Sequence, residues 1–145
     1  MDPEILIRLA NKEDIPALVE LSGQLGYPTS QEEMTERLED MSDYFRHAIY
    51  VAEVEGKVVG WIHGFARTLL MVSKHIEVGG LVVDEDHRNH KIGEKLMEAI
   101  EAWAEELGAD WVYVASNQIR EDAHRFYLQH GYEHYKTSFK FRKHI

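Results

Sequence analysis

The stretch Leu81-Val82-Val83-Asp84-Glu85-Asp86-His87-Arg88-Asn89-His90-Lys91-Ile92-Gly93 decides how this chain is read. Its first residues close a run that begins at Lys74 and carries Gly79-Gly80, and two glycines inside a strand predict a bulge or a close approach by another group. Beyond the loop, Ile92, Leu96, Ile100, Trp103 and Leu107 recur at helical spacing, which predicts a long amphipathic helix stopped by Gly108. A loop feeding a helix N-terminus presents unpaired amides and the positive end of the dipole. With Arg88, Lys91 and Lys95 beside it, the segment reads either as a phosphate or pyrophosphate site or as an ordinary strand–helix loop with surface charges. It is neither a GxxxxGK[ST] P-loop nor a GxGxxG fingerprint.

Working outward, a strand is predicted over Ile5–Leu9, and Asn11 is placed to cap a helix that carries Ile15, Leu18, Val19 and Leu21 and ends near Gly23–Gly26. Ser30 with Glu33 reads as a capping box for a helix from Gln31 to about Met41. His47–Val54 and Lys57–Ala66 alternate around Glu55-Gly56 as a β-hairpin, and the Lys74–Asp84 run follows. After the long helix come a strand at Trp111–Ala115, a helix at Glu121–His130 stopped by Gly131, and one or two closing strands in Tyr132–Arg142. The order β-α-α-β-β-β-α-β-α-β-β predicts an α/β protein with one mixed sheet, antiparallel at its start and parallel near its centre. Ligands in such sheets sit beyond strand carboxyl ends where neighbours part, here after the glycine-bearing run and after Trp111–Ala115.

A chain of 145 residues with 44% hydrophobic residues predicts a single domain over 1–145. No cysteine occurs, which excludes disulfides, thiol nucleophiles and iron–sulfur clusters. No apolar run approaches the ~20 residues of a membrane span and no charged-then-apolar leader opens the chain, so the expected setting is the cytoplasm, away from membranes. The net charge of −10 argues against nucleic acid as a partner. That charge is uneven: residues 1–60 hold 13 acids and 5 bases, and residues 61–145 hold 13 and 11. His87/His90 and His130/His134 have ligand-like spacing, yet no HExxH accompanies them, so no metal is expected and capping or solvent-facing histidines are the default.

Two motifs carry a resemblance. Arg88-Asn89-His90-Lys91-Ile92-Gly93 occupies the frame [Gln/Arg]-x-x-Gly-x-[Gly/Ala], with Lys91 in place of the inner glycine. Ala123-His124-Arg125-Phe126-Tyr127-Leu128-Gln129-His130-Gly131-Tyr132 meets Ala-x-x-Phe-Tyr-x-x-x-Gly-[Phe/Tyr] in full. The sequence thereby resembles, over essentially its whole length, the GNAT superfamily of acyl-CoA-dependent N-acyltransferases. Ser116-Asn117, the Ala123–Tyr127 segment and the Phe139-Lys140-Phe141 ending are similar to small-amine acetyltransferases of the aminoalkylphosphonate and aminoglycoside groups.

The resemblance implies a GNAT fold and direct transfer of the acetyl group of acetyl-CoA to a primary amine. It implies a cofactor site made by the backbone of Leu81, Val82 and Val83, by Arg88, Asn89, His90, Lys91, Ile92, Gly93 and Glu94, and by Asn117, Arg120 and Tyr127. Tyr127, a phenol of reference pKa ~10, is the expected acid to the departing thiolate. Glu77 is expected as a base, directly or through water, or as a carboxylate that only holds the cationic amine. The acceptor is expected between the first two helices, the Gln24–Ser30 loop and the hairpin, against Tyr27, Trp61, His63 and Glu77. Seven acids in Glu20–Asp43 against Arg37 alone suit a small, cationic amine, though exposed helix faces are often acidic for no ligand's sake. The rival readings are a non-catalytic acetyl-CoA-binding regulatory module and an acetyltransferase of protein or peptide amines. The chain's size admits a homodimer.

Overall fold

A computed structural model describes residues 3–88, 91–115 and 121–145, in two compact units, Met1–Ala115 and Ser116–Ile145. In the first unit, β1 (Ile5–Leu9), β2 (His47–Val54), β3 (Lys57–Leu69), β4 (Val72–Val83) and β5 (Val112–Val114) form a sheet in sequence order. The first four pair antiparallel and β4 pairs with β5 in parallel. Helices α1 (Ile15–Leu25) and α2 (Gln31–Asp40) lie between β1 and β2, and α3 (Ile92–Glu106) lies between β4 and β5.

Local chemistry accounts for these boundaries. Asn11 caps a short 3-10 turn through a reciprocal box with Asp14, and α1 continues from it with Pro16 in its first turn. Arg8 grips Asp14 with both guanidinium arms at 2.8 Å, tying β1 to that turn. Ser30 and Glu33 form the expected capping box of α2. Glu55 and Gly56 turn the β2–β3 hairpin with φ of 51° and 79°, the paired positive values of a type I′ turn.

The sheet is covered on both faces. Helix α3 lays Ile92, Leu96, Ile100 and Trp103, all essentially inaccessible, across β1 to β4. Gly60 and Gly64 make that approach close: a Cβ on Gly64 would sit 2.8 Å from the Ile100 side chain. The opposite face carries Trp61 and His63, and α1 packs there. The Gly79-Gly80 pair does both things expected of it. Gly79 is the extra residue of a bulge, since His63 faces Gly80 while Gly64 faces Val78. A Cβ on Gly80 would lie 2.7 Å from the Trp61 ring.

Two expectations are corrected. No strand forms in Tyr132–Arg142, where most residues are exposed. The parallel pair therefore ends the described sheet instead of lying at its centre. In the second unit, α4 spans Glu121–Gln129 and closes at Gly131, whose φ is 87°.

Candidate active site

Three of the four residues expected to meet an acceptor line one space. Tyr27, Trp61 and His63 line one cavity of about 280 Å³, whose remaining wall is built by α1 through Leu18, Ser22 and Leu25 and by α2 through Met34, Arg37 and Leu38. Gly79 closes it on the β4 side. None of the seven acids of Glu20–Asp43 lines this space, which corrects the charge expected of it. On α2 the acids occupy the solvent face, and the inward face presents Met34, Arg37 and Leu38. The wall is therefore apolar with a donor-rich exception. Arg37 reaches Thr29 Oγ1 at 3.5 Å, and its only ion pair among the described residues is a loose 3.8 Å contact with Glu33. The buried indole Nε1 of Trp61 has no hydrogen-bond partner among the described residues, and an unpaired buried donor costs roughly 1–3 kcal/mol.

Glu77 shares a face with His63 but is not part of the cavity lining. Its Oε1 accepts from Arg67 Nη1 at 2.5 Å and from the Tyr113 hydroxyl, so one carboxylate oxygen is fully engaged. His63 Nε2 lies 3.0 Å from His47 Nδ1, with the two rings stacked. Burial, with His47 alongside, takes His63 down to about 4 despite the opposing charge of Glu77. Burial and Arg46 lower His47 as well, so both rings are neutral at pH 7. Neither this pair nor the Arg67–Glu77–Tyr113 cluster has a sequence motif. The sole hint was alternation of polar residues along two strands meant to be half-buried.

The second half of the site is the edge of β4. Pairing with β5 covers Ile76, Glu77 and Val78 and stops at the bulge. The Asp84 amide donates to the Val59 carbonyl, so ladder alternation turns the backbone of Val82 towards β3 and that of Leu81 and Val83 towards the side that β5 has left. Of the three residues expected to offer backbone groups to a cofactor, Leu81 and Val83 turn theirs to that edge and Val82 turns its own to β3. Arg88 Nε donates to the Val83 carbonyl at 3.3 Å, which brings its charge to that open edge.

Lys91 is the N-cap of α3 at φ 60° and ψ 22°, a left-handed conformation, and no side chain caps the helix there. Gly93 and Glu94 stand in the first turn behind Ile92, whose side chain is buried in the core. The loop before the helix is clipped to α1: Gln24 and His87 both bond Asp84, at 2.9 and 2.8 Å, and hold its carboxyl below the usual carboxylate range. Asn89, His90, Asn117 and Arg120 lie outside the described residues. Tyr127 is half-buried in α4, where its ring packs against Phe126 and Tyr132.

A profile of the acetyltransferase (GNAT) family matches residues 15–132 of this chain. The chain belongs to the GNAT acetyltransferase family. Acetyl-CoA is the co-substrate of GNAT acetyltransferases, and a strand edge left unpaired among the described residues, leading to a helix N-terminus beside Arg88 and Lys91 with no side-chain cap, fits an amide-bearing arm that ends in a pyrophosphate. The aminoalkylphosphonate N-acetyltransferase of Salmonella typhimurium is 33% identical to this GNAT chain over 124 residues, covering 85% of this chain and 77% of that protein. An aminoglycoside N-acetyltransferase, AAC(6')-Iy, solved with CoA, superposes with a TM-score of 0.90 at 17% identity, covering 100% of this chain and 98% of the other. Glucosamine-6-phosphate N-acetyltransferase from Arabidopsis thaliana superposes at 0.81 with 24% identity, covering 98% and 99%. These two structures share the fold. No helix among the described residues is long and apolar enough to cross a membrane.

Proposed function

We propose that residues 1–145 act as one GNAT domain that moves the acetyl group of acetyl-CoA directly onto the primary amine of a small acceptor. One observation carries the reading: the open backbone edge of Leu81–Val83 runs from the bulge that walls the acceptor cavity to the loop before α3. A pantetheine arm laid along that edge would present its thioester at Gly79, with its pyrophosphate towards Lys91. A free amide at that edge would stabilise the carbonyl oxygen as it becomes tetrahedral. The chain lacks cysteine, so no acetyl-cysteine stage intervenes. Tyr127 supplies the proton that the departing thiolate takes. Glu77, fixed by Arg67 and Tyr113 beside the cavity and outside its lining, attracts the ammonium group of the arriving acceptor by charge.

The lining favours an acceptor with an anionic end opposite its amine. Arg37 lines the wall and no carboxylate does among the described residues, and the relative from Salmonella typhimurium is named for aminoalkylphosphonates. The cationic acceptor suggested by the acidic helix faces loses its support once those faces point to solvent. Thiol release from acetyl-CoA, measured across aminoalkylphosphonates, polyamines and aminoglycosides, tests this. Turnover of the phosphonates is expected. Binding of CoA without turnover of any amine would mark a regulatory module instead, and turnover confined to peptide amines would mark a protein acetyltransferase. Arg37→Ala is expected to raise KM for an aminoalkylphosphonate about tenfold with kcat little changed, the loss of one charge-assisted bond.

Lys91 is unfavourable to the fold twice over, since a non-glycine residue in the left-handed region costs roughly 1–2 kcal/mol and a cation faces the positive end of α3. Lys91→Gly is therefore expected to raise unfolding stability by roughly 0.5–1 kcal/mol, after the entropy of the added glycine is deducted. CoA affinity should fall by about fivefold in the same variant, as one exposed phosphate contact is lost. Denaturant titration and calorimetric CoA binding read the two effects separately.

A further inference from the structure

The His47–His63 hydrogen bond crosses a partition. His63 lines the acceptor cavity, whereas His47 lines a second cavity of about 360 Å³ beside α2, with Tyr44, Asn11 and Lys12 in its wall. Leu38, Met41 and Ile49 line both and form the wall between them. The two imidazoles are a polar link between the spaces. On the acceptor side, His63 turns Nδ1 towards Gly79, since a Cβ built there would meet that nitrogen at 3.0 Å. Its other nitrogen is committed to His47.

We propose, resting on the acetyl-transfer reading above, that His63 is the base that takes the proton of the acceptor's ammonium group and that His47 is the positioning residue that carries the charge out into the second cavity. The step balances as a double transfer. The N–H bond of the ammonium breaks as Nδ1–H forms on His63, while the Nε2 proton of His63 passes to Nδ1 of His47. His47, now an imidazolium, gives its Nε2 proton to water in the second cavity. The free amine keeps the lone pair that attacks the thioester. The tautomers reset after product leaves: water in the acceptor cavity takes the Nδ1 proton, Nε2 recovers its proton from His47, and His47 takes one from its own cavity.

The surroundings explain why two rings serve better than one. His63 is the more buried ring, so burial keeps its lone pair available and forbids a lasting charge there. His47 stands nearer solvent and can hold the charge briefly. Among the described residues, the charged and titratable groups around the pair are Glu77, Arg67 and Tyr113 from β4, β3 and β5, Asp43 and Arg46 before β2, Lys12, Glu39 and Tyr44 in the second cavity, and Tyr27 and Arg37 in the acceptor cavity. Arg67 and Tyr113 hold Oε1 of Glu77, and Glu77 does not line the cavity, which leaves the imidazole of His63 as the base on the cavity side.

The test is acceptor kcat/KM from thiol release between pH 6.5 and 9.5, for the parent enzyme and for His47→Gln, His47→Phe and His63→Gln, with thermal melting of each. Glutamine preserves a hydrogen bond to His63 but cannot relay a proton, and phenylalanine preserves the ring stack. All three variants are expected to melt near the parent and to lose at least about tenfold in kcat/KM at pH 7, within the range of general-base contributions. The deficit should shrink to about threefold or less near pH 9.5, where solution supplies free amine, an order-of-magnitude expectation for an acceptor with an ordinary amine pKa. A loss that is the same at every pH would show a structural role and overturn the relay, and so would full activity of either His47 variant. If the parent enzyme acetylates no amine at all, the acetyl-transfer reading fails and takes the relay with it. If the parent turns over and the variants match it, the relay alone is lost.

Discussion

Replacing Tyr127 with phenylalanine is expected to lower kcat about a hundredfold while CoA affinity stays within about twofold of the parent, the lower end of what general-acid catalysis contributes. The reasoning begins with the leaving group. An alkyl thiolate is a tolerable leaving group, with a thiol pKa near that of free cysteine, ~8.5, so loss of the acid slows collapse of the tetrahedral species without abolishing it. The ring contacts of Tyr127 with Phe126 and Tyr132 need no hydroxyl, and α4 should survive the change. Single-turnover kinetics separates the chemical step from product release. Unchanged single-turnover rates would remove Tyr127 from the acid role. A thioester whose thiol is more acidic than CoA should recover much of the deficit, because it needs less help to leave.

Trp103→Ala should have the largest effect on stability. Trp103 is 1% exposed on the inner face of α3, and its indole Nε1 donates to the Tyr44 carbonyl at 3.0 Å. Truncation removes the ring and leaves that carbonyl without its donor, so the expected loss is about 3–5 kcal/mol. For a chain of this length, that lowers Tm by roughly 10 °C or more. Chemical denaturation followed by far-UV circular dichroism reads the change, and a loss under about 1 kcal/mol would mean that α3 repacks over the gap. Trp103→Phe should recover much of the packing and still lack the hydrogen bond. The difference between the two variants apportions the two contributions.

Elements governed by near neighbours were legible in the sequence. The Ser30/Glu33 capping box, the Glu55-Gly56 turn, the α3 stripe and the bulge at Gly79-Gly80 all stand where residue type and spacing put them. Each is decided within a few residues, by a φ angle, a reciprocal hydrogen bond or a helical period. The grouping of Tyr27, Trp61 and His63 was legible too, because alternation along β3 assigns Trp61 and His63 to one face.

The histidine pair was not legible, and one residue explains why. A two-residue turn at Glu55-Gly56, carried on without interruption, would set Ala48 opposite His63 and send His47 to the other face. In the structure Glu53 faces Val58 while Ala52 faces Gly60, so Val59 is an extra residue in β3. That single bulge brings Ile49 opposite His63 and His47 onto its face. Nothing local to Val59 announces it.

The acidic half of the chain shows the same division. Composition alone determined that positive charge gathers at the loop before α3 and negative charge in the first sixty residues. Only the tertiary structure decided which of the charged side chains of α2 line the cavity beside Trp61, by keeping its acids out of that lining and Arg37 in it. Sequence thus determined the fold family, the order of the elements up to α4 and the residues of the loop before α3, because spacing and local propensity decide those. Tertiary structure decided which side chains face one another across strands, since that depends on register, and register is fixed by packing over distances at which no motif is written.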